Sequence, residues 1–184
     1  MTAKKGVFLT AEWRKLALAQ YAVDEQILLK YLPPHTELDS WNGKYYVSLV
    51  GFMFMNVKLL GFNIPFHTNF EEVNLRFYVR YKHDKEWKRG VVFVKEIVPL
   101  PAITFVANTI YKEKYQTLPM KHVWVEQENQ LEVDYLWKSE TWHNFRLLPM
   151  QRQKKLHRVA KKNLLPNITG DTQKLAAIKP LNMG

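Results

Sequence analysis

The stretch from Phe70 to Tyr81, FEEVNLRFYVRY, restricts the folding of this chain more than any other. Its apolar and polar residues alternate, which is typical of a β-strand, because successive side chains of a strand point to opposite faces. The apolar row consists of Val73, Leu75, Phe77 and Val79, and the polar row of Glu72, Asn74, Arg76 and Tyr78. Neighbours along a row are about 7 Å apart, so a small polar ligand would contact two or three of them.

Two interpretations of the polar row are open. A half-exposed antiparallel strand shows the same alternation, and Glu72 and Arg76 would then be solvated. Asn74 favours the second interpretation, because asparagine is depleted in strands and needs a reason to be there. If the row lines the inside of a barrel, its side chains provide hydrogen bonds for a bound molecule. Glu71 belongs to the apolar side and is expected at the rim, so it does not pair with Glu72 as an acid/base dyad.

Strand signals recur along the chain with few helical segments between them. Asn42-Gly43 suits a type I′ turn between two strands, and the segments MKHVWVE and LEVDYLW indicate a second hairpin. Asp24 is the expected N-cap of a short helix, and PAITFVANTIYKEKY is the expected second helix. This order, which lacks βαβ alternation, predicts a mainly β (α+β) fold, a curled antiparallel β-barrel with one or two short helices.

The composition argues against several kinds of site. The sequence has no cysteine, which excludes disulfides and thiolate chemistry. Its histidines lack metal-ligand spacing, and it has no glycine-rich phosphate-binding motif and no nucleophile elbow, so we expect no metal and no cofactor. The amino terminus lacks the apolar segment of a secretory signal, and no apolar run reaches the length of a membrane span. We therefore expect a cytoplasmic protein without a transmembrane segment.

The net charge of +10 is concentrated near the carboxyl end. Residues 1–150 hold 19 Lys and Arg against 16 Asp and Glu, whereas residues 151–184 hold 8 against 1. The nearly balanced first part predicts no specific nucleic-acid binding. We expect one domain at 1–150 and a basic tail at 151–184 that is either disordered or a divergent end of the barrel. An amphipathic tail segment, QRQKKLHRVAKKNLL, leaves open an adaptor that contacts anionic membrane or nucleic acid.

Lys95 is a further candidate. In the segment GVVFVKEIV, alternation places it on the face of Val91, Phe93 and Ile97, among apolar side chains. Burial favours the neutral, nucleophilic amine, which is how Schiff-base lysines are activated. The alternative is a lysine that extends to solvent or pairs with a carboxylate.

Several segments resemble a known family. They are VDEQILLKYLPPHTELDSWNGKYYVSLVGFMF, FEEVNLRFYV, GVVFVKEI and LPM. Together, over residues 10–122, they are similar to the YqjF-like conserved bacterial proteins, an uncharacterised family of the acetoacetate decarboxylase-like superfamily. The most specific element is the E-x-N-x-R strand with the hairpin block before it. The resemblance implies a β-barrel of acetoacetate decarboxylase-like type at 1–150, with Glu72, Asn74 and Arg76 facing an internal cavity.

The resemblance also bears on the reaction. The superfamily's enzyme uses a Schiff-base lysine in a Pro-Lys-Lys segment, and the matching segment here is Pro119-Met120-Lys121. Methionine at the position of the nucleophile cannot form an imine, so decarboxylation by that route is not expected. Glu72 has a counterpart in the enzyme's cavity, which implies that it binds the ligand or moves a proton.

These observations predict a small-molecule-binding barrel, and they leave open that it is an enzyme acting on a small carboxylate or oxo compound. Glu72 is expected either to be the acid/base catalyst or to hold Arg76 in place, and Arg76 is the expected catalytic clamp for a carboxylate or carbonyl oxygen. Further ligand contacts are expected from Asn74, Tyr78, Lys95 and Lys121. The alternative is a non-catalytic binder of an apolar, lipid-like ligand. Whether a reaction is catalysed stays open, and a barrel left incomplete would expose a strand edge and favour a homo-oligomer.

Overall fold

The computed structural model describes residues 9–59, 61–110, 112–127 and 130–148, which form ten strands and two helices. The strands are β1 (Leu9–Val23), β2 (Glu37–Leu38), β3 (Tyr45–Leu59), β4 (Phe62–Asn63), β5 (Phe70–His83), β6 (Glu86–Val98), β7 (Tyr115–Thr117), β8 (Met120–Gln127), β9 (Gln130–Lys138) and β10 (Trp142–Leu147). The helices are α1 (Glu25–Leu29) and α2 (Pro101–Ile110). The predicted mainly β class with two short helices is confirmed. The predicted basic tail at 151–184, with its amphipathic segment, lies outside the described residues.

The strands form two sheets. The larger has the order β1-β3-β5-β6-β7, with β2 also pairing with β5 and β4 with β3, and the smaller has the order β10-β9-β8. Strands β5 and β6 are antiparallel, but β7 joins β6 in parallel, so the larger sheet is mixed and not purely antiparallel. Within the described ranges its strand order is open at β1 and β7, and closure into a barrel stays a prediction. Neither helix in these ranges has the length and apolar character needed to cross a membrane.

The described residues divide into two compact units. The first unit is formed within Met1–Lys15, Phe52–Glu71 and Met120–Gly184, and the second within Leu16–Gly51 and Glu72–Pro119. The boundaries fall inside β1, β3 and β5, so these strands contribute residues to both units. Most of the candidate functional residues belong to the second unit.

The core of the second unit lies against the apolar row of β5. Phe77 and Val79 of β5 are buried together with Leu28 of α1, and Val47 and Val92 from the neighbouring strands pack against them. Burial of each large apolar side chain contributes about 1.5–3 kcal/mol. Because the apolar row faces this core, the polar row is turned to the other face of the sheet.

Two local predictions are confirmed in the second unit. Asp24 caps α1, since its Oδ1 accepts a hydrogen bond from the backbone N–H of Gln26 at 2.9 Å. Asn42 and Gly43 have φ angles of 50° and 72°, which are the positive values that a type I′ turn requires. Around this turn only an isolated bridge forms, and β2 pairs with β5 instead of forming a hairpin with β3.

The first unit contains a chain of aromatic side chains. The ring centroids of Trp13 and Phe52 are 4.8 Å apart, those of Phe52 and Phe54 5.0 Å, and those of Phe54 and Phe70 4.9 Å. Such separations are favourable for aromatic pairs. The predicted second hairpin is also confirmed here, as the antiparallel pair of β8 and β9.

Candidate functional site

The first three of the four residues in the polar row of β5 are buried. Glu72 and Asn74 each expose 2% of their surface and Arg76 exposes 7%. A half-exposed strand would leave these side chains solvated, so that interpretation of the alternation is wrong for these three residues. A buried polar group left without a partner costs about 1–3 kcal/mol, and more when it is charged. The hydrogen-bond partners of these three side chains therefore indicate the function of this face of the sheet.

A β-bulge in β6 determines which of its side chains join the polar row. Arg76 lies opposite Phe93, whereas Leu75, the preceding residue of β5, lies opposite Lys95. Val94 is therefore an extra residue in β6 that has no counterpart in β5. An extra residue inverts the alternation of one strand relative to its partner from that point onward.

Beyond the bulge, Glu96 lies directly opposite Asn74 and shares its face. Glu96 is 3% exposed, whereas Lys95 is exposed on the other face. The prediction that Lys95 shares a face with Val91 and Phe93 is wrong, because alternation along β6 is interrupted between them. Lys95 as a ligand contact stays an untested prediction, and its exposure on the opposite face does not support it.

Asn74, Glu96 and Tyr115 form a row across three strands. Glu96 pairs with Asn74 of β5 on one side and, in parallel register, with Tyr115 of β7 on the other. Glu72 spans this row, since its Oε1 accepts a hydrogen bond from Asn74 Nδ2 at 2.8 Å and its Oε2 accepts one from the Tyr115 hydroxyl at 3.0 Å. The carboxylate of Glu72 thus bridges the two side chains that flank Glu96. We call Glu72, Asn74, Arg76, Glu96 and Tyr115 the carboxylate site.

Helix α2 fixes the position of Tyr115. Asn108 Nδ2 donates to the backbone carbonyl of Tyr115 at 2.9 Å, and Asn108 Oδ1 accepts from the backbone N–H of Tyr115 at 2.8 Å. The predicted helix PAITFVANTIYKEKY is too long, because α2 ends at Ile110 and Tyr115 begins β7. An asparagine side chain readily bonds to the backbone in this way, which competes with continued helix.

The environment of Glu72 favours its neutral form. Burial raises the pKa of Glu72 to about 7, and the negative charge of Glu113 acts in the same direction. The hydrogen bonds from Asn74 and Tyr115, and the positive charge of Arg76, partly offset these effects. A carboxyl group with a pKa near neutrality is able to give up and take back a proton at ordinary pH.

The pKa of Glu96 is raised further, to about 8. Burial is the main cause, followed by the negative charges of Glu72 and Glu113, while a hydrogen bond from Tyr115 opposes them. Burial and the neighbouring carboxylates also raise the pKa of Tyr115, so its hydroxyl stays protonated and donates. Carboxyl groups that interact strongly lose their protons in two steps that belong to the pair and not to either residue.

Two buried atoms of the site have no hydrogen-bond partner among the described residues. They are Asn74 Oδ1, which is an acceptor, and Arg76 Nε, which carries a donor hydrogen. The two residues are separated by one position on the same face of β5, so their side chains are neighbours. A ligand that offers both a donor and an acceptor would satisfy both atoms.

Tyr78, the last member of the polar row, is bonded within the protein. Its hydroxyl lies 2.7 Å from Ser48 Oγ and accepts a hydrogen bond from Gln20 Nε2 at 2.9 Å. Ser48 is fully buried, Tyr78 is half-buried and Gln20 is exposed, so this cluster links β1, β3 and β5 from the interior to the surface. A ligand contact by Tyr78 stays a prediction, since its hydroxyl already has these partners.

Lys121 and Glu71 belong to the first unit. Lys121 is exposed, and its Nζ lies 5.0 Å from the ring centroid of Trp142, which is a cation–π contact. Glu71 Oε1 lies 2.6 Å from His122 Nδ1, so Glu71 and Glu72 have separate partners. The ligand contact predicted for Lys121 stays a prediction. Across the described ranges, no three histidine, aspartate or glutamate side chains are grouped so as to hold a metal ion.

Sequence reasoning missed Glu96 and Tyr115. Alternation along β6 alone puts Glu96 on the apolar face, and only the pairing with β5 reveals the bulge that reverses this. The adjacent charges of Lys95 and Glu96 within an apolar strand were the available signal, because a regular strand must turn one of them inward. Tyr115 was missed because the sequence predicts a helix for the segment that contains it.

Comparisons with known proteins identify related sequences. A family model described as an uncharacterized conserved protein, DUF2071, matches residues 10–169. The uncharacterized protein YqjF of Bacillus subtilis (strain 168) is 31% identical over 129 residues, which cover 70% of this chain and 50% of YqjF. The chain thus spans about half the length of this curated relative.

Solved structures with a similar fold include two enzymes. Acetoacetate decarboxylase from Legionella pneumophila subsp. pneumophila str. Philadelphia 1 has a TM-score of 0.52 and 15% identity, over 85% of this chain and 60% of the other. The enduracididine biosynthesis enzyme MppR complexed with pyruvate has a TM-score of 0.55 and 12% identity, over 76% of this chain and 55% of the other. At these identities the similarity concerns the fold alone, and it confirms the predicted acetoacetate decarboxylase-like fold.

Proposed function

The chain belongs to the DUF2071 family of uncharacterized conserved proteins, and we propose that its carboxylate site binds a small carboxylate or oxo compound and acts on it. The observation that carries this is the pair of buried, unpartnered atoms, Asn74 Oδ1 and Arg76 Nε. Native proteins rarely leave such atoms unsatisfied, since each costs about 1–3 kcal/mol. A bound molecule recovers this energy.

Arg76 is the proposed clamp. Its Nε–H is free to donate to a carboxylate or carbonyl oxygen of the ligand, and charged hydrogen bonds are about twice as strong as neutral ones. Asn74 orients the ligand, because its amide group is fixed by the hydrogen bond to Glu72 while Oδ1 is left to accept from a ligand donor.

Glu72 is the proposed acid/base catalyst. Its pKa of about 7 allows both protonation states near neutral pH, which is what general acid/base catalysis requires. No imine is part of this function. Met120 stands where the resemblance places the Schiff-base lysine, and Lys95 is exposed on the opposite face of the sheet from Asn74.

Pyruvate is a suitable probe. It carries a carboxylate and an oxo group, which accept hydrogen bonds from Arg76, and it offers a donor to Asn74 Oδ1 only as its enol. It is also the molecule named in the complex of MppR, which shares the fold at 12% identity. That similarity does not transfer a substrate, but it makes pyruvate a reasonable first choice among small oxo acids.

A non-catalytic binder of an apolar ligand is the second candidate. The hydrogen bonds that Asn74 and Tyr115 make to Glu72 favour it, because they satisfy part of the polar row internally. Arg76 Nε argues against it, because an apolar ligand would leave this donor unpaired.

The test is calorimetric titration of the full chain with pyruvate. We expect the variant Arg76→Lys, which retains the charge but has no Nε–H, to bind about 10- to 100-fold more weakly, as for the loss of a charged hydrogen bond. Arg80→Ala is the matched control, because Arg80 lies on the same strand but is exposed and paired with Glu37. We expect Arg80→Ala to bind like the unmodified chain.

Equal pyruvate affinity in Arg76→Lys and the unmodified chain would remove Arg76 from the site. A fatty acid that binds with an affinity indifferent to Arg76, in a chain that does not bind pyruvate, would favour the apolar-ligand function instead. Native mass spectrometry of the purified protein then identifies a co-purified ligand by its mass, and its loss in Arg76→Lys assigns it to this site.

A further inference from the structure

The function proposed above assigns no individual role to Glu96 or Tyr115, yet both lie beside its acid/base group. Tyr115 donates to one oxygen of Glu72 while Asn74 donates to the other, and Glu96 lies between Asn74 and Tyr115 in the strand order. Glu72 and Glu96 are therefore diagonal neighbours on one face, a relation in which Cα atoms are about 7–8 Å apart and side chains reach each other.

We propose that Glu72 and Glu96 hold one proton in common, and that the site uses it to interconvert an oxo compound and its enol. This inference rests on the proposed function, because it takes place at the ligand held by Arg76 and Asn74. Glu72 is the catalytic residue, and Glu96 is a positioning residue that acts through it. Tyr115 is a second positioning residue, since its hydroxyl holds the orientation of the Glu72 carboxylate.

The unpartnered atoms fit an enol oxygen. An oxo oxygen only accepts hydrogen bonds, whereas the hydroxyl of an enol both accepts and donates. The oxygen accepts from Arg76 Nε–H, and its hydrogen is donated to Asn74 Oδ1, which are the two atoms left without partners. The site is thus complementary to the enol more than to the oxo compound, which stabilises the enol as the bound form.

The proton transfers balance without a further reactant. Ionised Glu72 takes a proton from the carbon beside the oxo group, and the electrons of the broken C–H bond form an enolate whose oxygen accepts from Arg76. The carboxyl pair then holds two protons, and it returns one to the enolate oxygen, which gives the enol. The pair is left with one proton, as at the start, and no oxidant or reductant is consumed.

The surrounding charges are consistent with a shared proton. The charged and titratable groups that act on the pair are Arg76 on β5, Glu113 before β7 and Tyr115 on β7. Arg76 is the one cation among them, so full ionisation of both glutamates would leave buried negative charge without compensation. A proton held between the two glutamates removes this cost.

The first test needs no ligand. The side-chain carboxyl carbons of glutamate are labelled with ¹³C in the full chain, and their chemical shifts are followed against pH. We expect the signals of Glu72 and Glu96 to titrate together, each in two steps. In Glu72→Gln, we expect Glu96 to titrate in one step with its midpoint lowered by a pH unit or more, since the negative charge of Glu72 is gone. Glu86→Gln, on the exposed end of β6, is the control and should change neither signal.

A Glu96 midpoint that Glu72→Gln leaves unchanged would overturn the shared proton. If Glu72→Gln does not fold, Tyr115→Phe answers the same question. Loss of its hydroxyl removes the hydrogen bond that Glu72 accepts at 3.0 Å and that lowers the pKa of Glu72, so the midpoint of Glu72 should rise and, through the shared proton, that of Glu96 should rise with it. Unchanged midpoints in Tyr115→Phe would equally overturn the inference.

The second test measures enolisation. Pyruvate is incubated with the protein in D₂O, and deuterium entering its methyl group is followed by NMR. We expect exchange in the unmodified chain and in Glu86→Gln, none above background in Glu72→Gln, and at least a tenfold lower rate in Glu96→Gln with pyruvate affinity preserved. Exchange that does not respond to Glu96→Gln would contradict its positioning role. If pyruvate binds without regard to Arg76, the proposed function fails for this ligand, while the ligand-free titration still judges the proton pair.

Discussion

Glu96 lies directly opposite Asn74, at the position that Lys95 would hold if β6 paired with β5 without a bulge. One extra residue thus exchanges a cation for a carboxylate beside Glu72. A lysine there would have compensated the negative charge of Glu72 and stabilised its ionised form. The glutamate offers no such compensation: burial, and then the negative charge of Glu72, raise the pKa of Glu96 and favour a retained proton there.

The first prediction concerns the dependence of stability on pH. The pKa of Glu96 is about 8 in the folded chain against 4.5 for an ordinary glutamate. Between these two values the folded state holds a proton that the unfolded state has lost. The contribution of this group to the free energy of unfolding is therefore fully present below about pH 4.5 and is lost as the pH rises to about 8. Each pKa unit corresponds to about 1.4 kcal/mol.

Urea unfolding of the unmodified chain and of Glu96→Gln at a series of pH values checks this. We expect the free energy of unfolding to fall between pH 5 and pH 8.5 in the unmodified chain, and to fall markedly less in Glu96→Gln. Glu86→Gln should follow the unmodified chain, since Glu86 is exposed. Parallel pH profiles for all three chains would contradict the burial of an uncompensated carboxyl group at Glu96.

The second prediction concerns the pH dependence of ligand binding. A negatively charged ligand beside two carboxyl groups favours their protonation, so binding of pyruvate should take up protons. By linkage, affinity must then decrease as the pH rises through about 7 to 8, by up to tenfold per pH unit for each proton taken up. Calorimetry in buffers of different ionisation enthalpy measures this uptake directly. Proton uptake that is the same in Glu72→Gln as in the unmodified chain would place its source elsewhere.

The third prediction separates structure from ligand contact at Tyr78. The variant Tyr78→Phe removes the hydroxyl that Ser48 and Gln20 share, and it leaves the fully buried Ser48 with only the longer contact, 3.3 Å, to Gln20. We expect a loss of about 1–2 kcal/mol in the free energy of unfolding, measured in urea. Pyruvate affinity should change by less than about twofold, and a larger change would restore Tyr78 to the ligand contacts.

The fourth prediction concerns the turn before β3. Gly43 has a φ of +72°, and an alanine there adopts a left-handed conformation at a cost of about 1–2 kcal/mol. Gly90→Ala is the matched control, because an added methyl group meets only Val79 Cγ2 at 3.7 Å, an ordinary contact. We expect Gly43→Ala to lower the melting temperature and Gly90→Ala to leave it equal or higher. Equal melting temperatures would mean that the turn relaxes to another type.

The sequence predicts features that depend on neighbours along the chain. Alternation identifies β5 and its polar row, the Asn42-Gly43 pair identifies a turn with positive φ, and Asp24 identifies the start of α1. Each depends on a few consecutive residues and on local physics alone, namely side-chain direction, backbone conformation or a capping hydrogen bond. The similarity of several segments to a known family then suggests the fold.

The composition of the site depends on pairing between distant segments. Glu96 enters the site because β6 has one residue more than β5 between two pairing positions, which no window of β6 shows. Tyr115 enters it because the helix ends before this residue and the side chain of Asn108 bonds to its backbone, in a short strand that pairs with β6. Both depend on contacts that exist only once the sheet has formed, so the sequence indicates three of the five residues of the carboxylate site.

The hydrogen bonds of Asn108 have a consequence for association between copies of this chain. Strand β7 is the last in the strand order of the larger sheet, where exposed backbone groups usually invite another strand to add. At Tyr115 both backbone groups are already bonded to the amide of Asn108, which imitates the strand that would otherwise add there. A single side chain thus occupies both backbone groups of Tyr115, so that an added strand cannot use them, while the same contact holds the tyrosine against Glu72.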